Sequence, residues 1–454
     1  MEKFFLKLWT IKVETWQFAL LLIVAILGVI GFGALVEKAA SDKKTSGIAG
    51  FALKIARVPA ESRHVVKYIL SDQKPTLAGS QRFDSEAGFK RLLNGNDDAL
   101  LLARFDGDRG RSVVEIMDLE DGAVLHRYAP DIDDIYEGST LKVGIDGLKP
   151  RRDIESFTIS HPILTEDGGL IFHGMNTPLT RIDACSNIVW VADKLFHHSL
   201  EQDADGNYWS ATYVMPSRLQ GMPSTFRDDA IVQISPAGEI LYEKSVGEIL
   251  IDNDLRHLVY SGGRYSEDPL HLNDVQPALS DGPHWRKGDL FLSLRHRSAI
   301  VLYRPSTNKV IWLREGPWLM QHDVDIINDR EIAVFDNNSA PFEWGQQVLG
   351  ANNTVIYDFS TNETYAPYSE AYKINDIRTI TEGLSEILPD GALFVEETNY
   401  GRLLKMNKAG DISWQYINRA GDGRNYVVNW SRYIDAELAK KTAALAKQNC
   451  TSDE

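Results

Sequence analysis

His198, His271 and His322 lie far apart in the chain, yet they recur in one local setting. His198 stands seven residues ahead of Asp205, and His322 stands seven ahead of Asp329. Asp167 and Asp390 carry Ser160 and Gly383 at the same offset. His271 opens a further stretch of the same kind and is followed by Asn273; the next apolar run of that stretch ends in Ser293-Leu294-Arg295. If these offsets are structural equivalences, three imidazoles converge on one point beside Asn273 and Arg295. An imidazole near neutral pH can serve as a nucleophile or a proton carrier. An arginine and an amide beside it can hold the oxygens of an anion. Three histidines could also take zinc or copper, but Asn273 and Arg295 are poor company for a cation. Any one histidine taken alone is more often a satisfied structural residue, and His161, His173, His257 and His296 are left in that class. His197 is a neighbour of the site rather than a principal.

Other chemistries are not supported. DADGN at 203–207 resembles the start of a calcium loop, but position 12 would be Val214, so the segment reads as a turn. There is no Walker A lysine loop and no GxSxG elbow. Gly28, Gly31 and Gly33 fall inside an apolar run rather than a nucleotide fingerprint. No metal, cofactor or nucleotide is indicated.

The elements that must position these residues repeat. A polar residue opens a short apolar run, an Asp/Gly turn follows, and two more apolar runs come after it. Such units start near Asn96, Ser160, His198, His271, His322 and Leu384. Six of them, spaced by about 40 residues, are the pattern of a propeller, in which no unit buries its own faces. The expected fold is all-β: a six-bladed β-propeller over 95–430, with an N-terminal transmembrane helix and a C-terminal helix. The first strand of each blade lines the central channel, so its opening residues meet at one mouth. A linker with short helical pieces (IAGFALKIARV and ESRHVVKYIL) occupies 37–94, and the segment 431–454 reads as an amphipathic helix and tail.

The 454 residues include 48 Lys plus Arg and 64 Asp plus Glu, a net charge of −16. That charge speaks against nucleic acid as a partner and against binding to an anionic lipid surface. With 43% hydrophobic residues and ten Trp the chain can build a packed core, and its two cysteines make no disulfide scaffold. Residues 18–36 carry no charge and as a helix would reach roughly 28 Å, enough for a bilayer core. The run is longer than the ~7–15 residues of a secretory h-region and lacks an A-x-A-like cleavage site. An uncleaved single-pass anchor is expected, with Trp9 and Trp16 at the interface. Lys3, Lys7 and Lys12 before the span balance Lys38, Lys43 and Lys44 after it, and the α-amino group tips residues 1–17 to the cytoplasm. The body then lies in the periplasm, tethered to the inner membrane.

FHHSLEQDADGNYW, DPLHLNDVQPAL, GDLFLSLRHRSAIVLY and QHDVDIINDREIAVFDNN together resemble the bacterial arylsulfate sulfotransferases of the nucleotide-independent, periplasmic type. The resemblance covers roughly 150–420. It implies a six-bladed propeller and a transiently sulfated histidine, which matches His322. The H-x-N pair matches His271 and Asn273, the arginine matches Arg295, and the histidine of the earlier blade matches His198, with His197 one register away. Ser385 is the nearest counterpart of the family's pocket hydroxyls. Family members carry a disulfide; Cys185 and Cys450 are one pair at most. Soluble export in the family contrasts with the anchor here.

The implied reaction moves a sulfuryl group from an aryl sulfate to a phenol by a ping-pong route through His322. Arg295 and Asn273 would hold the sulfuryl oxygens, and His198 or His271 would take the acceptor's proton. Trp285, Trp318 and Phe342 are placed by loop position as stacking partners for the ring. The partners are then small molecules and, through the N-terminal helix, the membrane; a homodimer stays open. The alternatives are an anchored propeller that binds a ligand without catalysis, and a sulfotransferase acting on a glycan.

Overall fold

The apolar runs are strands with both faces covered. In Ala99–Asp106, residues Ala99, Leu101 and Ala103 pack with Val114, Phe157 and Phe172 on one side. Leu100 and Leu102 pack with Leu384, Phe394, Leu403 and Trp414 on the other. Leu290–Leu294 divides in the same way, with Phe291 in a different cluster from Leu290, Leu292 and Leu294. A period of two with both faces buried is what a sheet sandwiched between two neighbouring sheets requires. Each such leucine contributes about 1.5–3 kcal/mol.

The computed structural model describes residues 14–41, short stretches between 48 and 93, and 99–450 apart from 138, 142–147, 149–150, 261–262 and 343–344. Two units result, Met1–Gln73 and Lys74–Glu454. In the first, the helix Thr15–Ser41 contains the expected 18–36 span and is long and apolar enough to cross a membrane. A membrane anchor and a signal sequence share that property. Parts of 48–56 are helical, whereas ESRHVVKYIL at 61–70 lies outside the described residues.

The second unit is a propeller-like arrangement of antiparallel sheets. One four-stranded sheet holds Leu272–Pro277, Leu290–Leu294, Ala299–Arg304 and Lys309–Glu315. A second holds Val324–Ile326, Glu331–Asp336, Asn353–Asp358 and Glu363–Tyr365. Leu384–Ile387, Leu393–Glu397, Arg402–Met406 and Ile412–Ile417 form a sheet with Gly88–Arg91 as its fifth strand. The region 160–245 is one continuous seven-stranded sheet rather than two separate blades, because the 15-residue strand Ile188–Gln202 pairs with Thr177–Ile182 through its first half and with Tyr208–Tyr213 through its second. Six distinct blades are therefore not what the sheets themselves display.

Two boundaries differ from expectation. Sheet pairing starts before 95, with Gly88 opposite Ile417. Residues after 431 do not begin a helix: Arg432–Ile434 is a strand paired with Ala99–Leu101, in a sheet completed by Arg111–Asp118 and Val124–Tyr128. The reason is closure. The last strand joins the sheet built from the start of the body, which removes an open edge. The helix is confined to Ala436–Asn449, where the Asp435 side chain accepts from the amides of Glu437 and Leu438; the helix buries Ala439, Thr442, Ala443 and Ala446. Cys450 after it is disulfide-bonded to Cys185, 265 residues away.

The first strands enclose a cavity of about 320 Å³ lined by Glu201, Gln276, Asp323, Asp325, Glu386 and Arg432. Burial pushes Glu386 up to about 7, opposed by Arg432 and reinforced by Glu201. Burial and Glu201 push Asp274, also on these strands, up to about 7.

Two outcomes are expected. Cys450→Ser should lower unfolding stability by about 2–5 kcal/mol in denaturant titration. Glu386 binds its proton more tightly folded than unfolded, so ionising it disfavours the fold as pH rises from about 4.5 to about 7. Glu386→Gln should therefore melt above the parent chain at pH 8, and the two melting temperatures should converge near pH 4.

Candidate functional site

At one end of these first strands the backbone turns through left-handed conformations at residues other than glycine: His161 (φ 51°), His198 (54°), His271 (55°), Met320 (55°, two residues ahead of His322), Glu382 (57°) and Trp430 (59°). Ladder irregularities accompany them between Ser160 and Ile163, His197 and Leu200, and Leu272 and Asp274. A bulge re-aims a side chain, and here it brings rings from separate strands together. The centroids of His198 and His271 are 5.0 Å apart, and those of His198 and His322 are 6.3 Å apart. Trp430 lies 6.2 Å from His322 and stacks on His161 at 4.2 Å.

His322 is fully buried. Its Nδ1 is 2.6 Å from the Asn337 side-chain oxygen. Asn337 in turn donates its amide hydrogens to the carbonyls of Thr379 and Glu382, which fixes the oxygen toward the ring. Nδ1 therefore carries the proton, and Nε2 presents a lone pair, which accepts from the Glu382 backbone N–H at 2.9 Å. Burial, then the charge of Arg295, holds His322 well below the usual histidine range, so the ring is neutral at pH 7.

His271 donates from Nδ1 to Asp268 Oδ2 at 2.6 Å. Burial disfavours the Asp268 carboxylate, but His271 and His296 outweigh it and bring Asp268 down to about 2. His296 stacks near His271 at 4.4 Å, bonds the Asp268 carbonyl, and accepts from Arg295 Nη1 at 3.1 Å. Arg295 also donates from Nη2 to Gln346 at 3.0 Å, on the two-stranded hairpin Ser339–Phe342 and Gly345–Val348. Its guanidinium is buried, forms no ion pair with a carboxylate among the described residues, and leaves Nε without a partner. A buried, uncompensated cation is an anion site in waiting. Asp268, His271 and His296 lie close enough to hold a metal ion, but the His296 lone pair is already engaged by Arg295, which does not suit a cation there.

The structure thus brings His198, His271, His322 and Arg295 together. His197 forms a second layer: its Nε2 bonds the Thr212 carbonyl, its Nδ1 is 2.8 Å from that of His198, and it stacks on Tyr213. Asn273 is buried beside the cluster but gives an amide hydrogen to the Gln321 carbonyl, so it positions the backbone ahead of His322. The Ser385 hydroxyl bonds Thr354 and faces the packing between sheets rather than the imidazoles. Trp285 and Trp318 are buried in a core cluster with Phe291 and Ile300, which corrects their placement as stacking partners. Phe342 stands 43% exposed on the hairpin. DADGN is a turn, closed by Asp203 and Asn207. Missed were His161, which the turn-based ruler lost by one residue to Ser160, and His296, Asp268, Asn337, Glu382 and Trp430. Of these, only His296 carried a local signal, as a second basic residue directly after Arg295.

The fold and site together are a propeller-like all-β body with a buried cluster of imidazoles around a guanidinium that has no carboxylate partner among the described residues. Its family is shown by comparison: the model for arylsulfotransferases (ASST) matches residues 161–419, over half of the chain, and the chain belongs to that family. The family is one of sulfotransferase-type enzymes acting on small molecules. No curated protein matches the chain. Among solved structures, a protein of unknown function from Bacteroides caccae is similar at 12% identity, TM-score 0.43, over 70% of this chain and 94% of its own. A streptogramin B lyase is similar at 11% identity, TM-score 0.37, over 77% of this chain and 100% of its own. Likeness at that level carries no functional argument.

Nitrogen NMR of His322 should find the neutral Nδ1–H tautomer from pH 8 down to pH 6, and Asn337→Leu should give a mixture of tautomers. A His322 imidazolium signal at pH 6.5 would contradict this geometry.

Proposed function

We propose that the chain is a nucleotide-independent arylsulfate sulfotransferase working by a ping-pong route through a sulfohistidine at His322. The observation that carries this is a neutral, fully buried imidazole whose lone pair lies on Nε2, beside the unpaired Arg295. Sulfuryl transfer resembles phosphoryl transfer, in which positioning and charge clamping do most of the work. The His322 Nε2 lone pair attacks sulfur, the S–O bond of the aryl sulfate breaks, and a phenolate leaves. An acceptor phenol then attacks sulfur as its O–H proton passes to Nε2 of His271, whose Nδ1 is held by Asp268, and the N–S bond breaks to restore His322. Arg295 holds the sulfuryl oxygens, while His198, Asn273 and His197 keep the cluster in register and Ser385 supports the adjoining strand.

At rest the Glu382 amide occupies Nε2. Attack requires that hydrogen bond to open, and the freed N–H is then placed to donate to a sulfuryl oxygen. In this proposal the sheets count as six blades, with Ile188–Gln202 serving as the last strand of one and the first of the next. The Cys185–Cys450 disulfide supports placement in an oxidising compartment, and with the apolar helix Thr15–Ser41 as an anchor that compartment is the periplasm, with the anchor in the inner membrane.

The test is turnover of an aryl sulfate with a phenol acceptor. His322→Ala should abolish it, and Arg295→Ala should reduce kcat by about 10²–10³-fold. Unchanged turnover in His322→Ala would remove the nucleophile.

A further inference from the structure

Glu382, whose backbone N–H caps His322 Nε2 at 2.9 Å, also lines a cavity of about 300 Å³ together with Leu77, Arg151, Thr158, Tyr400 and Asn429. That volume suits one aromatic ring with a short substituent. Asn429 directly precedes Trp430, whose ring lies 6.2 Å from that of His322. Two of the lining residues thus reach the nucleophile, one by a hydrogen bond and one through its neighbour.

The polar lining is not satisfied from within. Asn429 is 7% exposed, and its side-chain nitrogen has no partner among the described residues. A buried amide left alone is costly unless something completes it. Arg151 is half-buried, and no carboxylate pairs with it among the described residues. The neighbouring cation is different: the Arg82 guanidinium lies over the Tyr400 ring at 4.6 Å and is already paired with Asp376 and Glu397. Burial pushes the Glu382 carboxyl up, while the charges of Arg151 and then Arg295 draw it down. Burial thus favours the neutral, donating form of that carboxyl. A guanidinium, an amide and a carboxyl that can donate, set around one aromatic and one aliphatic side chain, fit a ring that carries an anionic, two-oxygen group.

We propose that this cavity binds the far end of an acidic aromatic acceptor, a phenol bearing a carboxylate, with Arg151 and Asn429 on the carboxylate and Tyr400 beside the ring. The role as acceptor rests on the sulfotransferase proposal; the preference for a carboxylate is a property of the cavity itself. The phenolic oxygen is then turned toward His322, and Arg295 stays free for the sulfuryl oxygens. A chain of net charge −16 repels such an acceptor over most of its surface, so its recognition has to be local.

The test is calorimetric binding to the full chain, without a sulfate donor, of 4-hydroxyphenylacetate, its neutral amide and the cationic tyramine. The parent should bind the carboxylate about tenfold tighter than the amide. Arg151→Gln should bring the two within about twofold of each other. Equal affinities in the parent, a preference for tyramine, or a carboxylate preference that survives Arg151→Gln overturns the proposal. Should that variant fail to fold, Asn429→Leu takes its place: a diminished preference supports the cavity and an undiminished one overturns it. Turnover separates this inference from the reading beneath it. A parent that prefers the carboxylate yet never transfers sulfate from an aryl sulfate to any phenol keeps the cavity and removes the sulfotransferase proposal. Transfer with a kcat/KM indifferent to the carboxylate keeps the sulfotransferase proposal and removes the role of the cavity.

Discussion

Closure of the ring of sheets is the constraint on which the site depends. Three residues near the end of the chain, Arg432–Ile434, pair with Ala99–Leu101 near the start of the body. The same segment carries Trp430 to the imidazoles and Arg432 into the lumen. Its backbone is held as it enters: the buried Glu396 carboxylate accepts from the amides of Trp430 and Ser431 at 2.7 and 2.8 Å. Arg432 then spans to Glu201 at 2.8 Å and to the Leu200 carbonyl. Glu201 lies on the long strand that also holds His198, so one segment ties the closing sheet to the strand bearing a site residue.

The architecture was legible because it is written in periodicity. Runs such as ALLLARFD, with a period of two and both faces apolar, declare strands between sheets, and the Asp/Gly turns set their ends. The ruler from turn to strand head found His198 and His322, and the composition of the fourth unit found His271 and Arg295. The same ruler failed at His161, because an extra residue in the ladder shifts the lumen-facing position without changing the turn. It could not assign Ser385, whose strand position is right but whose side chain takes the other face. Asp268, Asn337 and Glu382 were invisible for a different reason. Each acts through a contact made by a loop, and loops carry no period.

The electrostatics of the two ends of the lumen are opposed. At one end imidazoles are crowded and buried, which favours their neutral forms; His173 falls to about 4 and His296 to about 4, both chiefly by burial. Further along, carboxyls are crowded and buried, which favours theirs, and Asp323 and Asp325 are held well above the usual carboxylate range. Low dielectric thus strips charge from most of the lumen. Arginine resists that neutralisation, which is why Arg295 and Arg432 dominate the fields around them. Among the described residues Arg432 has a carboxylate partner and Arg295 has none.

The hairpin Ser339–Phe342 with Gly345–Val348 belongs to neither neighbouring sheet, yet its Gln346 amide steers the Arg295 guanidinium. A neutral tether orients that cation without quenching it. Lineages of this architecture therefore have a place to diversify: insertions or exchanges in one peripheral ribbon can retune what the cation greets, while the imidazoles beneath remain untouched.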